Sequence, residues 1–516
     1  MNRRTITIAS IIYGVSILLS RLVGLIREAV IGRTLGGGGD ADVYWTAFVL
    51  PDFLNYLLAG GILSIVFIPI FSGYLTRNEE AEGWRVFSTI ANSLTALISG
   101  LTIILWACVP QLTPMIAPGM SETQIQELNL LVRIILPAQI FHLVGGLLSA
   151  TLQARDAHAM PAVAPLVYTT CIVLGGVFLA ENMGAAGFAW GVLAGSILGP
   201  FGCPLLGCIK HGLHWHLEFT LRHPQVRRYF VLSIPVMLGF SIIVLDDMLI
   251  KHFGSFLEPG AISQLQYART LMKVPMGVFG LAAGMAAYPT IARLFARDKS
   301  IDAFELITDA VAVMVVLALA AQAALTVAGA DMAEVIWGRT RFSVDALQHI
   351  GWLTGIMAIG LAAWSAQVLV ARGFYAQGNT WTPTIVGSLL ALMAYPAYEY
   401  LSTTWGTSGL ALGSSIAIFI YITILFLRLR ARVAAPYAPL VSLSMVLVRM
   451  AIACGVAVYC GHQVRLAVLD WMPLPRGAFA GTVAITLTLF LAHILGVKQV
   501  AVVMGQVRQR VLRRRG

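Results

Sequence analysis

The residues of this sequence that could do chemistry crowd into one stretch. Between Ser20 and Ser64, apolar runs surround Arg21, Arg27, Arg33 and Glu28, a four-glycine turn, and Asp40, Asp42 and Asp52. Arg21 and Arg27 are six residues apart, about 9 Å along a helix axis. Two guanidiniums at that spacing suit an extended anion such as a diphosphate, because a planar fork bonds phosphate oxygens in pairs. The same residues fit a structural role, in which Arg27 pairs with Glu28 or Asp42 and holds neighbouring helices together. A second group comprises the adjacent acids Asp246 and Asp247, then Arg269 and Lys273, which are four apart and share a helix face. Acids at membrane depth take part in cation or proton coupling; a salt bridge to Lys251 fits these two equally well. No Walker, GxSxG or HExxH pattern accompanies these groups, and nothing points to an enzyme or to ATP hydrolysis.

What must position these residues is set by composition. Only 11% of the 516 residues are charged and mean hydropathy is +0.82, against about 25% charged in a globular protein. Continuous apolar runs of about 20 residues mark helices, not the short alternating strands of a barrel. The chain therefore reads as an all-α polytopic membrane protein. The net charge of +10 follows from basic residues flanking the spans on one side and calls for no nucleic-acid partner. The six cysteines form no C-x-x-C and no Cys/His cluster with zinc spacing, so neither a metal nor another cofactor is expected. His142, in an apolar stretch, reads as a cavity or packing residue. Glu399, between Tyr398 and Tyr400, reads as an interfacial one.

Fourteen spans are expected, near 8–33, 43–74, 86–110, 124–153, 160–181, 187–209, 227–250, 263–295, 305–330, 347–372, 382–402, 408–430, 441–464 and 476–497. Three exceed what a crossing needs, and tilt, a kink at Pro51 or Pro275, or an extension outside the bilayer would absorb the excess. Arg77, Arg85, Arg155, Lys210, Arg293, Arg372, Arg428 and both termini lie in one set of connections, while 111–123, 182–186 and 403–407 hold no Lys or Arg. The positive-inside rule then places both termini in the cytoplasm. The basic tail is a stop-transfer flank or a contact with anionic lipid.

The spans repeat. Pro51 recurs as Pro275 and Ala59 as Ala283, at one shared offset. Ala154 recurs as Ala376 and Pro161 as Pro383 at almost the same offset, and so does Pro69 as Pro289. This gives two parallel six-helix repeats, 1–215 and 216–435, plus two further helices and a basic tail, 436–516. A parallel-repeat transporter binds its cargo at the interface of the halves, so spans 1, 2, 7 and 8 are expected to line the site.

SRLVGLIREAVIGRTLG with the Asp42 that follows, FVLPDFL and AGGILSIVFIPIFS resemble the N-terminal signature of the MurJ/MviN lipid II flippases, of the multidrug/oligosaccharidyl-lipid/polysaccharide exporter superfamily. LQARDAHAMPAVAP, YARTLMKVPMGVFGLAAG and GFYAQGNTWTPTIVG are similar to later motifs of that family. The resemblance implies movement of undecaprenyl-pyrophosphate-linked peptidoglycan precursor, lipid II, across the bacterial inner membrane. It implies alternating access, a cationic cavity, and a groove from the last two helices for the lipid tail. Arg21 and Arg27 match the family's span-1 arginines, Glu28 stands where aspartate is usual, and Asp42 matches its span-2 acid. Asn55, Gly60 and Thr270 replace charged residues, and Tyr398 replaces an asparagine of the sodium site found in some members. On this reading Arg21, Arg27, Glu28, Asp42, Arg269 and Lys273 bind substrate, with Asp246 and Asp247 as coupling residues for a monovalent cation or proton. The departures leave open a flippase for another polyprenyl-linked glycan. An ion-coupled small-molecule exporter of the same superfamily would instead call for an acidic cavity without arginines.

Overall fold

The computed structural model describes residues 23–59, 66–220, 222–237, 242–338 and 341–501, without the side chains of 57–59, 232–237 and 278–289. Arg21, Gly60 and the basic tail beyond 501 lie outside the described residues, as does the start of the first span. Among the described residues there are helices and turns and no strand. Contacts gather into two units, residues 1–263 and 264–516.

The first unit contains α1 (23–35), α2 (Gly39–Thr46), α3 (Val49–Ala59), α4 (Ile68–Thr76), α5 (Glu80–Ile116), α6 (Glu122–Ile135), α7 (Ala138–Ala154), α8 (Ala159–Met183), α9 (Ala185–Ser196), α10 (Cys203–Lys210), α11 (Pro224–Met237) and α12 (Ile242–Gly254). A π-helical segment, Ile197–Gly202, joins α9 to α10 around Pro200. A proline has no N–H to donate and crowds the preceding turn, which favours such a bulge. The second unit contains α14 (Ser300–Trp337), α15 (Val344–Ile359), α16 (Leu361–Tyr375), α17 (Trp381–Val433), α18 (Ala438–Ala467) and α19 (Pro473–Ile494); α13 (Ala261–Ala296) begins just before the boundary.

Each expected span falls on helical segments wherever it is described. By length and apolarity alone, eight described helices could cross a membrane, or nine counting the bent pair α15 and α16. Two features differ from the expected spans. The third and ninth expected spans lie inside helices of 37 and 38 residues, α5 and α14, about 55 Å long at helical rise and well beyond the roughly 30 Å hydrocarbon core. Their first turns carry Glu80, Glu82 and Asp302, so the surplus is polar and extends into water. The fourth and tenth spans are broken, at Pro137 between α6 and α7 and at Gly360 between α15 and α16, where the bend is 42°. The expected loop 403–407 narrows to a single residue, Gly406, inside α17.

The backbone repeats as the prolines do. Gly184 has φ 55° and ψ −133°, and Gly406, at the corresponding place in the second half, has φ 56° and ψ −134°. An L side chain is strained there and glycine is not. Four more left-handed positions pair at nearly the same offset: Gly36 with Gly260, Asn78 with Asp298, Asp156 with Gly378, and Gly212 with Ala434. Among the described residues Gly496 alone has no counterpart, and it lies just past α19. Five pairs of positive-φ positions thus recur at an offset of 220 to 224 residues among the described residues.

Packing is by small residues and aromatics. A Cβ added to Gly187 would meet the backbone N of Ala180 at 2.7 Å, and one on Gly191 the carbonyl O of Cys171 at 2.7 Å. Their counterparts in the second half, Gly409 and Gly413, face α17's own first part, where a Cβ on Gly409 would overlap the Leu401 carbonyl. Small residues four apart let helix backbones touch where lipid offers no hydrophobic driving force. At the basic end of the first unit, Phe67, Phe71, Trp84 and Phe87 form a run of rings with centroids 5.2–6.2 Å apart. Arg155 lies over Trp84 and pairs with Glu80, which holds the Glu80 carboxyl below its ordinary value.

In the second unit, Asp331 of α14 is 1% exposed and accepts from Arg465 Nε at 2.7 Å, Arg465 Nη2 at 2.9 Å and Arg476 Nε at 2.7 Å. Arg476 also donates to Glu334 at 2.8 Å. Two acids thus meet two arginines, and this network ties α18 and α19 to α14. It explains why Arg465 and Arg476 stand in a connection otherwise expected to be poor in free positive charge.

Candidate functional site

Arg27 and Glu28 are consecutive on α1. Arg27 Nη2 donates to Glu28 Oε1 at 2.6 Å; the Glu28 side chain is 3% exposed and that of Arg27 29%. The pair is therefore one of the structural alternatives read from the sequence, yet it leaves part of the guanidinium open. Arg27 Nε is buried without a partner among the described residues. Tyr44 of α2, fully buried against Phe48 and Phe188, and Tyr168 of α8 lie within electrostatic range of the Arg27 charge.

Beyond Tyr168 the next groups are neutral and polar. The His142 ring of α7 meets Tyr168 edge-on at 5.3 Å, and its Nδ1 is buried without a partner among the described residues. Gln139, one turn earlier and 4% exposed, has an unpartnered Oε1 among the same residues. Buried polar atoms normally find hydrogen bonds. One cation within electrostatic range of Tyr168, with the spare capacity of His142 on the far side of that ring, suits a polar anionic ligand carrying sugar or phosphate oxygens. The sequence signalled His142 only as a cavity or packing residue, and Tyr168 and Gln139 not at all, because nothing in their local spacing connects them with Arg27.

The other expected site residues behave differently. Asp42 is 4% exposed and accepts N–H groups from Gly260 and Ser263, each at 2.6 Å. Both oxygens thus serve the first turn of α13, where free N–H groups and the helix dipole favour a carboxylate. Asp42 is bonded to backbone here and not to Arg27. Asp247 makes the salt bridge to Lys251, at 2.6 Å with the Lys251 side chain 5% exposed, while Asp246 is 1% exposed. Arg269 is 6% exposed and Lys273 is exposed, so two residues one turn apart have unlike surroundings. Thr270 donates to the Gln266 carbonyl at 3.0 Å and supplies no charge. Asn55 is half-buried on α3.

Apolar helices long enough to cross a membrane, together with a half-buried cation and unpartnered polar atoms among the described residues, are the make-up of a membrane transporter. The family model described as "Lipid II flippase MurJ" matches residues 31–473, and the chain belongs to that family. It is 26% identical over 480 residues to a protein of Rhizobium tropici described as a probable lipid II flippase MurJ, covering 89% of this chain and 87% of that one. It is 25% identical over 423 residues to the lipid II flippase MurJ of Burkholderia cenocepacia, covering 80% and 82%. Among solved structures, a lipid II flippase MurJ in an inward closed conformation superposes with TM-score 0.76 at 19% identity, over 94% of this chain and 98% of that one. An inward-facing multidrug resistance MATE transporter of the MOP superfamily gives 0.62 at 13% identity, over 80% and 94%. These two likenesses concern the fold.

Proposed function

We propose that this protein moves lipid II, the undecaprenyl-pyrophosphate-linked peptidoglycan precursor, across the bacterial inner membrane by alternating access between halves 1–215 and 216–435. The observation that carries this reading is Arg27, a half-buried, partly open guanidinium within electrostatic range of Tyr168, whose ring meets His142 with its unpartnered Nδ1 among the described residues. A pyrophosphate leaving water needs fixed cations to offset its lost hydration. Arginine keeps its charge in a low-dielectric site where lysine can lose it. Arg21, Arg27, Arg269 and Lys273 bind the headgroup, and Glu28 moderates Arg27 by competing for it, so that substrate is released. Asp42 positions the helix that bears Arg269. Expression in a bacterium depleted of its own lipid II flippase tests the reading. Sustained growth is expected; lysis at normal membrane levels of the protein would reject it.

Coupling is assigned to Asp246, with Asp247 held by Lys251. Asp246→Asn is then expected to change the dependence of transport on ion gradients, and Asp247→Asn to lower only the amount of folded protein. Equal transport by both variants under every gradient would remove the coupling role. Both termini are assigned to the cytoplasm. Reporter fusions after Arg432 and at the C-terminus are expected to read inside and one at Gly119 outside; an outside C-terminus would break the fourteen-span scheme.

A further inference from the structure

Within the second unit, two cavities of about 510 and 250 Å³ share Phe419 and Leu447 in their walls. Together they form one apolar groove between α18 and the helices it packs on. Along α18 the groove runs from Leu440 through Leu447 to Val458. Eighteen residues of helix rise about 27 Å, close to the roughly 30 Å of a hydrocarbon core.

Both walls continue past one end of the groove in the same way. On α17 the lining residues Phe419, Thr423 and Phe426 are spaced four and three apart, and the next residue of that stripe is Arg430. On the facing side, Tyr437 stands three residues before Leu440. The two meet: the Arg430 guanidinium carbon lies 3.3 Å from the Tyr437 ring centroid. Stacking engages the face of the guanidinium and leaves its edge for hydrogen bonds. Arg430 Nε is buried without a partner among the described residues.

We propose that this groove is a binding site for an anionic membrane phospholipid, with an acyl chain along α18 and the phosphate on the edge of Arg430. The depth of the groove matches a chain lying along the bilayer normal, and its one charged end matches a phosphate in sign.

The test is native mass spectrometry of the full-length protein titrated with phosphatidylglycerol or phosphatidylcholine. The wild type is expected to hold phosphatidylglycerol more tightly, by about tenfold, because both lipids offer a phosphate but the choline cation of phosphatidylcholine repels Arg430. Arg430→Ala is expected to remove that preference. Gly455 lines the groove, and a Cβ there meets nothing within 4 Å, so Gly455→Leu extends into the groove from an open position and is expected to weaken both lipids. Equal binding of the two lipids by the wild type, unchanged preference in Arg430→Ala, or unchanged binding in Gly455→Leu would overturn the proposal. Retention of undecaprenyl phosphate in preference to phosphatidylglycerol would overturn the choice of occupant.

Discussion

Arg27→Ala is expected to abolish transport, with at least about a 100-fold loss, while the protein remains in the membrane. One bidentate guanidinium–phosphate contact contributes two charge-assisted hydrogen bonds of about 1.5–3 kcal/mol each, which sets that scale. The substitution also removes the 2.6 Å partner of Glu28, and breaking a buried pair from one side is destabilising by up to about 3–5 kcal/mol. The two effects separate in the double variant Arg27→Ala, Glu28→Gln. It removes both charges and is expected to recover protein level without recovering transport. Arg27→Lys keeps a charge but loses the fork, and is expected to restore transport only in part. Arg33, exposed at the end of α1, is expected to tolerate Ala. The readout is lipid II exposed at the outer face, normalised to the amount of protein in the membrane.

Asp331→Ala is expected to produce the largest loss of stability from a site outside the transport path. It leaves Arg465 and Arg476, 16% and 12% exposed, facing one another without the carboxylate between them. Breaking a buried pair in this way costs about 3–5 kcal/mol. Glu334 is half-exposed and reaches only Arg476, so it cannot substitute for Asp331. Thermal unfolding in detergent should fall clearly below wild type, with protease cleavage appearing first between α17 and α19. Asp331→Asn keeps one acceptor oxygen and should fall in between. An unchanged unfolding temperature in Asp331→Ala would show that the network does not hold the last two helices.

The repeat is legible in the sequence because the residues that announce it also shape the backbone. Pro51, Pro69, Pro161 and Pro383 fall in the first turns of α3, α4, α8 and α17, and the glycines at 184 and 406 occupy matching left-handed turns. The Asp247–Lys251 bridge is legible for a similar reason, since residues four apart on a helix are neighbours. Asp42 stands out in the sequence but not for what it does, because its partners are backbone N–H groups 218 and 221 positions further along the chain, and no side-chain pattern displays them. The Asp331 network joins residues 134 and 145 positions apart, and Tyr168 reaches Arg27 only through folding. Contacts of that kind are set by helix packing, and one sequence carries no local trace of them.

The central claim is that fixed cations of this chain carry lipid II itself. It is tested most directly by following labelled lipid II from the inner to the outer face of cells whose own flippase has been depleted. The account predicts that the wild-type chain restores translocation of lipid II, and that the Arg21→Ala, Arg27→Ala double variant, at equal protein level, does not. Normal translocation by the double variant, or movement by the wild type of a different polyprenyl-linked glycan and not of lipid II, would contradict it.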